Sequence, residues 1–276
     1  MLPTIKIKEN EFTRLIIGGD PFSGNSHKSS KLDEKMKNFY TTEKIKETLF
    51  RAEECGINTM QLRGDSFMFR MIREFKNDGG KLKWIAETAS EYKSHVGNVN
   101  QIVENGADAI YHHPTMTDSL FKEKKIEELK YRLEVIRDTE KPVGLGTHIP
   151  EVIEYVEEYD WDIDFYVASV YNISKIERVS VSVLGETNEG EPFHDEDRKR
   201  MYKTIQATDK PCLAFKILGD GRKCDTVEDI KNAFQEAFKN IKEKDAIIVG
   251  VFPRNKDQIK ENVEIVKSIY NHSDID

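Results

Sequence analysis

Eight short apolar runs, each followed by an amphipathic stretch, constrain this chain more than any other feature. The runs are RLIIGG (14–19), INTMQL (57–62), LKWIAE (82–87), ADAIYH (107–112), PVGLGT (142–147), DFYVAS (164–169), PCLAFK (211–216) and AIIVGV (246–251). Bounded by Gly, Pro and Asp, they suit strands buried on both faces. Helical patterns lie between them. TTEKIKETLFRAEECG carries Ile45, Leu49 and Ala52 on one face and stops at Gly56. DSFMFRMIREFKNDGG opens on the capping acid Asp65 and stops at a Gly pair, and HVGNVNQIVENG stops at Gly106. The segment from Thr117 to Asp138 reads as one long helical pattern, with Leu129, Leu133 and Ile136 on one face. Two later helices open with capping boxes at Asp225–Glu228 and Asn255–Gln258.

Strand and helix alternating eight times predict an α/β fold, a single (β/α)8 TIM barrel spanning residues 1–276 as one domain. Two connections are unusually long: Gly18 to Thr41 after strand 1, and Val170 to Asp195 after strand 6. Both leave strand C-termini, so both are expected on the face where barrels keep their active sites.

Charged residues make up 33% of the chain and the net charge is -8. That balance gives no electrostatic support for binding nucleic acid or an anionic membrane. No apolar run reaches the roughly 18 residues a membrane helix needs. The start, MLPTIKIKENEF, lacks the apolar core of a signal peptide. Cys55, Cys212 and Cys224 are widely spaced and odd in number, which suits neither a disulfide framework nor a zinc motif. A cytoplasmic protein with a small-molecule substrate is the expectation, its oligomeric state left open.

The strand ends carry the candidate chemistry. Strand 1 offers Asp20, with His27 further along its loop; strand 2 offers Gln61, Arg63 and Asp65. Strand 3 offers Glu87, strand 4 His112 and His113, and strand 5 His148. Strand 6 offers Tyr171 and Asn172, strand 7 Lys216 and Arg222, and strand 8 Arg254. Imidazoles suit proton transfer near neutral pH and metal ligation alike. Side chains alternate along a strand, so YHHP sends one histidine inward and its neighbour outward; His112 is expected inward. The turn GDGR, with Gly219 and Gly221, and the turn VFPRN, with Arg254 and Asn255, follow strands 7 and 8, where many barrels bind phosphate.

Several of these segments resemble the aldo-keto reductase superfamily. GIN (56–58), DAIYHHP (108–114), DFYVASVYN (164–172), KPCLAFKILGDG (210–221) and VGVFPRNKDQIKENV (249–263) are similar to that family's second, fourth, sixth, seventh and eighth strand regions. The resemblance implies an NAD(P) cofactor contacted by Asn172 and held through Lys216, Gly219, Gly221, Arg222, Arg254 and Asn255. It implies His112 as a catalytic residue. The rest of the family's Asp, Tyr, Lys and His set departs: Gln61 stands for the Asp, Ser66 lies near the Tyr position, and Glu87 stands for the Lys. The opening GGDPFSGNSH also resembles a group of barrel proteins that begin GGNPFSG.

The first expectation is therefore a reductase-like enzyme acting on a small polar or phosphorylated carbonyl or hydroxyl compound, possessing His112, Glu87, His148, Asp20 and Gln61 as its catalytic residues. The alternatives are a divalent-metal lyase, isomerase or hydrolase using Glu87, His112, His148 and Asp20 as ligands, and a non-catalytic binding barrel.

Overall fold

The computed structural model describes residues 1–174 and 193–273, with side chains through Asn271. Most of the long connection expected after strand 6 lies outside the described residues.

The chain begins with an antiparallel hairpin, β1 (Thr4–Ile7) and β2 (Asn10–Thr13). Eight parallel strands then close into a barrel: β3 (Leu15–Gly18), β4 (Thr59–Arg63), β5 (Lys83–Glu87), β6 (Ala109–His112), β7 (Val143–Thr147), β8 (Phe165–Ser169), β9 (Cys212–Phe215) and β10 (Ala246–Gly250), which pairs back onto β3. Each corresponds to one of the eight apolar runs. Ten described α-helices surround them: α1 (Ser30–Phe39), α2 (Thr42–Glu54), α3 (Ser66–Asn77), α4 (His95–Glu104), α5 (Pro114–Lys122), α6 (Ile126–Arg137), α7 (Pro150–Glu158), α8 (Asp195–Ala207), α9 (Val227–Asn240) and α10 (Gln258–Ser273).

The core has two parts. Inside the barrel, Ile16, Ile85, Tyr111, Phe165, Val167 and Ile248 pack with Ile5, Ile7 and Phe12 of the hairpin. The hairpin plugs the N-terminal end: Thr13 N–H donates to Asn58, Asn10 donates to the Asp108 carbonyl, and Lys83 donates to the Glu11 carbonyl. A larger apolar layer lies between barrel and helices.

Local chemistry departs from the sequence reading in five places. The hairpin TIKI–NEFT is an added element, turned at Lys8 with φ 52°. The Gly18–Thr41 connection is mostly ordered, holding a short 3-10 turn (Asp20–Ser23) and α1. The Thr117–Asp138 pattern is two helices, α5 and α6, broken where Lys124 takes φ 57°. The capping box of α9 is Thr226–Asp229, one residue beyond Asp225–Glu228, because the Thr226 hydroxyl and Asp229 carboxylate satisfy each other's backbone N–H. For α10 the capping acceptor is Asp257, taking the Lys260 N–H, in place of Asn255.

Candidate active site at the barrel mouth

Parallel register decides which strand-end side chains point into the barrel. Gln61 pairs with Ile85, an inward residue, and Glu87 pairs with Tyr111. Gln61, Glu87 and Tyr111 therefore share the interior. The Gln61 amide donates to the Tyr111 hydroxyl at 2.7 Å, and Tyr111 in turn hydrogen-bonds the Glu87 carboxyl. His113, one residue past β6, returns inward, with Nε2 3.8 Å from Glu87 Oε1. Its Nδ1 accepts the Thr115 N–H and so caps α5.

The placement of His112 corrects the sequence reading. Because Tyr111 points in, His112 points out, into the layer under the helices. Its Nδ1 bonds the buried Thr117 hydroxyl at 2.8 Å and its ring packs edge-on against His95. Alternation allowed either parity; the bulk and polar partners of Tyr111 and His113 set the other one. With His112 turned away, the four-residue metal set of Glu87, His112, His148 and Asp20 is not assembled. Among the described residues, no group of three or more His, Cys, Asp or Glu side chains is placed to hold a metal.

Burial shifts the protonation of this cluster. It pushes Glu87 up to about 8, assisted by the charge of Asp20 and opposed by Arg63, Tyr111 and Lys216. Burial pushes His113 down to about 3, with Arg63 and His148 adding repulsion. Burial, then the charges of Glu87 and Asp20, carry the Tyr111 phenol well above its usual range. Near pH 7 the mouth thus holds a carboxylic acid, a neutral imidazole and a neutral phenol.

His148 is 4% exposed and follows β7. Its Nδ1 lies 2.8 Å from Oδ2 of Asp118, a residue of α5 that the sequence reading missed. Asp118 also takes the Thr147 hydroxyl at 2.5 Å and the His148 backbone N–H at 3.2 Å. The ring of His148 packs 5.5 Å from that of Phe215.

Phe215 forms part of the wall of a cavity of about 340 Å³ over the C-terminal ends of β9, β10 and β3. Asp20, Gln61, Lys216 and Gly221 also line it. Lys216 is buried and paired with Asp220 at 2.5 Å. Burial alone would raise the Asp220 carboxyl; Lys216 and His27 outweigh that and hold it below its usual range. Lys216, Gly219, Asp220 and Gly221 all take positive φ, so this turn folds tightly against the mouth.

Two of the remaining expected cofactor residues, Arg222 and Asn172, have structural partners. Arg222 donates to the carbonyls of Gly219 and His27 and stacks 3.9 Å from the Phe193 ring centroid, clamping the first and seventh loops together. Lys28 adds a bond to the Gly221 carbonyl. Asn172 is buried, its backbone N–H donating to Asp197. Arg254 and Asn255 are exposed and stand outside the cavity lining.

No family model matches the chain, and no match is found among curated proteins. Solved structures do match along nearly its full length. The apo form of Gox0644 shares 9% identity at TM-score 0.60, covering 98% of this chain and 93% of that one. The aldo-keto reductase AKR11C1 from Bacillus halodurans shares 12% at TM-score 0.60, covering 97% and 91%. A truncated 3-deoxy-D-arabino-heptulosonate 7-phosphate synthase from Thermotoga maritima shares 14% at TM-score 0.56, covering 99% and 92%. The likeness is one of fold. It extends to barrels of different chemistries and does not single out the aldo-keto reductases. Among the described residues no helix is long and apolar enough to cross a membrane.

Proposed function

We propose that the chain is an enzyme that moves protons on a small polar carbonyl or hydroxyl compound bound at the barrel mouth, with Glu87 as the proton donor. One observation carries this reading. Glu87, buried and held protonated at neutral pH, hydrogen-bonds Tyr111, whose other partner Gln61 lines a ligand-sized cavity. A general acid must carry a proton at its working pH, and an ordinary glutamate does not. Gln61 and Tyr111 fix the carboxyl. Lys216 and Asp220, paired at the cavity wall, offer a donor and an acceptor to substrate hydroxyls.

The charge of the cavity favours an uncharged, sugar-like ligand. Among the described residues its lining holds three lysines (Lys28, Lys216, Lys256) and three aspartates (Asp20, Asp220, Asp225). Its volume of about 340 Å³ lies at the small end of ligand pockets. The position, over β9 and β10, is where the resemblance puts NAD(P), which supplies hydride when bound; Lys216 and Gly221 would touch it there. A dinucleotide polyanion fits this lining poorly. The acids offset the bases, and Arg254 and Asn255 lie outside the cavity.

Calorimetric titration with neutral sugars, phosphorylated sugars, NADH and NADPH tests the reading, together with turnover of Glu87→Gln. We expect binding of neutral sugars, flat nicotinamide titrations and a loss of about 10²-fold or more in turnover for Glu87→Gln. Tight NADPH binding would overturn the redox-neutral reading in favour of a reductase. Ligand binding by the wild-type protein with no turnover would point to a binding barrel.

A further inference from the structure

We propose that Asp118 is a positioning residue that presents His148 Nε2 to the barrel mouth as the proton acceptor opposite Glu87, and that the reaction is the isomerisation of a small hydroxycarbonyl compound. The inference rests on Glu87 being the donor.

Asp118 sits on α5 with 1% exposure, where an ionised carboxylate without donors would be costly. It has three donors: the Thr147 hydroxyl, the His148 backbone N–H and His148 Nδ1. The first two anchor the carboxylate independently of the ring. Its Oδ2 meets Nδ1. An imidazole that gives its Nδ1 proton to a carboxylate carries its lone pair on Nε2.

The two histidines at the end of β6 do not offer that lone pair. His112 is turned under the helices and bonded to Thr117. His113 uses Nδ1 to accept the Thr115 N–H, which leaves Nε2 as an N–H directed at Glu87. His148 is close enough to depress His113 electrostatically, and its ring packs on Phe215, a cavity-wall residue. Donor and acceptor thus stand at the ends of β5 and β7, with His113 between them.

The step balances without an external oxidant. His148 Nε2 takes the proton from the hydroxyl-bearing carbon beside a carbonyl. The C–H electron pair becomes the new C=C bond, and the carbonyl π pair takes the Glu87 proton to form an enediol. In the return step the Glu87 carboxylate removes the proton of the other enediol hydroxyl, and His148 delivers its proton to the former carbonyl carbon. The carbonyl has moved by one atom, both residues are restored, and no electrons leave the substrate.

Long-range 1H–15N NMR of histidine-labelled full chain at pH 7 tests the tautomer, with His148→Gln identifying the signal. In the wild type we expect a protonated Nδ1 and a bare Nε2. In Asp118→Asn the amide N–H faces the ring, and the tautomer is expected to reverse; in Thr147→Val it is expected to stay. A wild-type Nε2–H form, an imidazolium, or an unchanged tautomer in Asp118→Asn overturns the positioning role. In D2O, glyceraldehyde, erythrulose and fructose are incubated with the protein and followed by proton NMR. Deuterium is expected next to the carbonyl of at least one, about 10²-fold more slowly with His148→Gln. No exchange in all three overturns the isomerase assignment. The tautomer does not depend on Glu87, so a failure of the donor reading is seen separately, in Glu87→Gln turnover.

Discussion

Glu87 and His113 stand 3.8 Å apart at the ends of the neighbouring strands β5 and β6, and burial leaves both uncharged near pH 7. Their shifts have opposite effects on stability. Glu87 rises to about 8, so the folded chain holds a proton that the unfolded chain has lost above the ordinary carboxylate range. Its contribution is full below about pH 4.5 and is lost as pH rises towards 8. His113 falls to about 3, so the unfolded chain binds the extra proton and stability grows with pH up to about 6.5. Above pH 6.5 only the Glu87 slope remains. The thermal midpoint should fall between pH 6.5 and 8, and Glu87→Gln should flatten that fall. Parallel melting curves for the two proteins would contradict the assignment. Turnover should decline over the same alkaline limb as the donor loses its proton.

His112 is a packing residue. Substituting His112→Leu removes the bond to Thr117 and leaves a buried hydroxyl without that partner, at a cost of about 1–3 kcal/mol. Chemical denaturation should show the loss. The turnover of the folded variant should match wild type, and a large fall in it at full folding would return His112 to the site.

Gly144 packs closely against the barrel interior. A Cβ there would stand 2.4 Å from the Phe165 ring and 2.7 Å from Tyr111 Cβ. Gly144→Ala should therefore destabilise by about 1–3 kcal/mol through overpacking. Since it presses on Tyr111, it should also disturb the Gln61–Tyr111 bond. Circular dichroism melts give the first effect, and the Glu87-dependent pH profile gives the second.

Phe12 is fully buried in the barrel floor. Phe12→Ala should cost about 3–5 kcal/mol, as for large core truncations. Equilibrium denaturation measures it. A cost below about 1 kcal/mol would mean that the hairpin does not seal the barrel.

Much of the scaffold is legible from local pattern. The eight runs mark eight barrel strands because a strand covered on both faces must be continuously apolar, whatever surrounds it. Asp65 reads as a helix cap from sequence because capping is satisfied within four residues, and its carboxylate does accept the Met68 N–H. The N-terminal hairpin is harder to see. Its four-residue strands have a local alternation, but their burial depends on a barrel end assembled from distant segments.

The site divides along the same line. Sequence alone determines that Gln61, Glu87, His148 and Lys216 stand at strand C-termini, since strand order and length put them there. Tertiary structure alone decides which side of the wall each neighbour faces. Register pairs Glu87 with Tyr111, and that one pairing turns Tyr111 and His113 inward and His112 outward. It also brings Asp118 from a helix to the imidazole of His148, 30 positions along the chain. Alternation has two equivalent phases, and a carboxylate's partner lies across space; packing settles both, because only one phase buries these polar groups with their hydrogen bonds made.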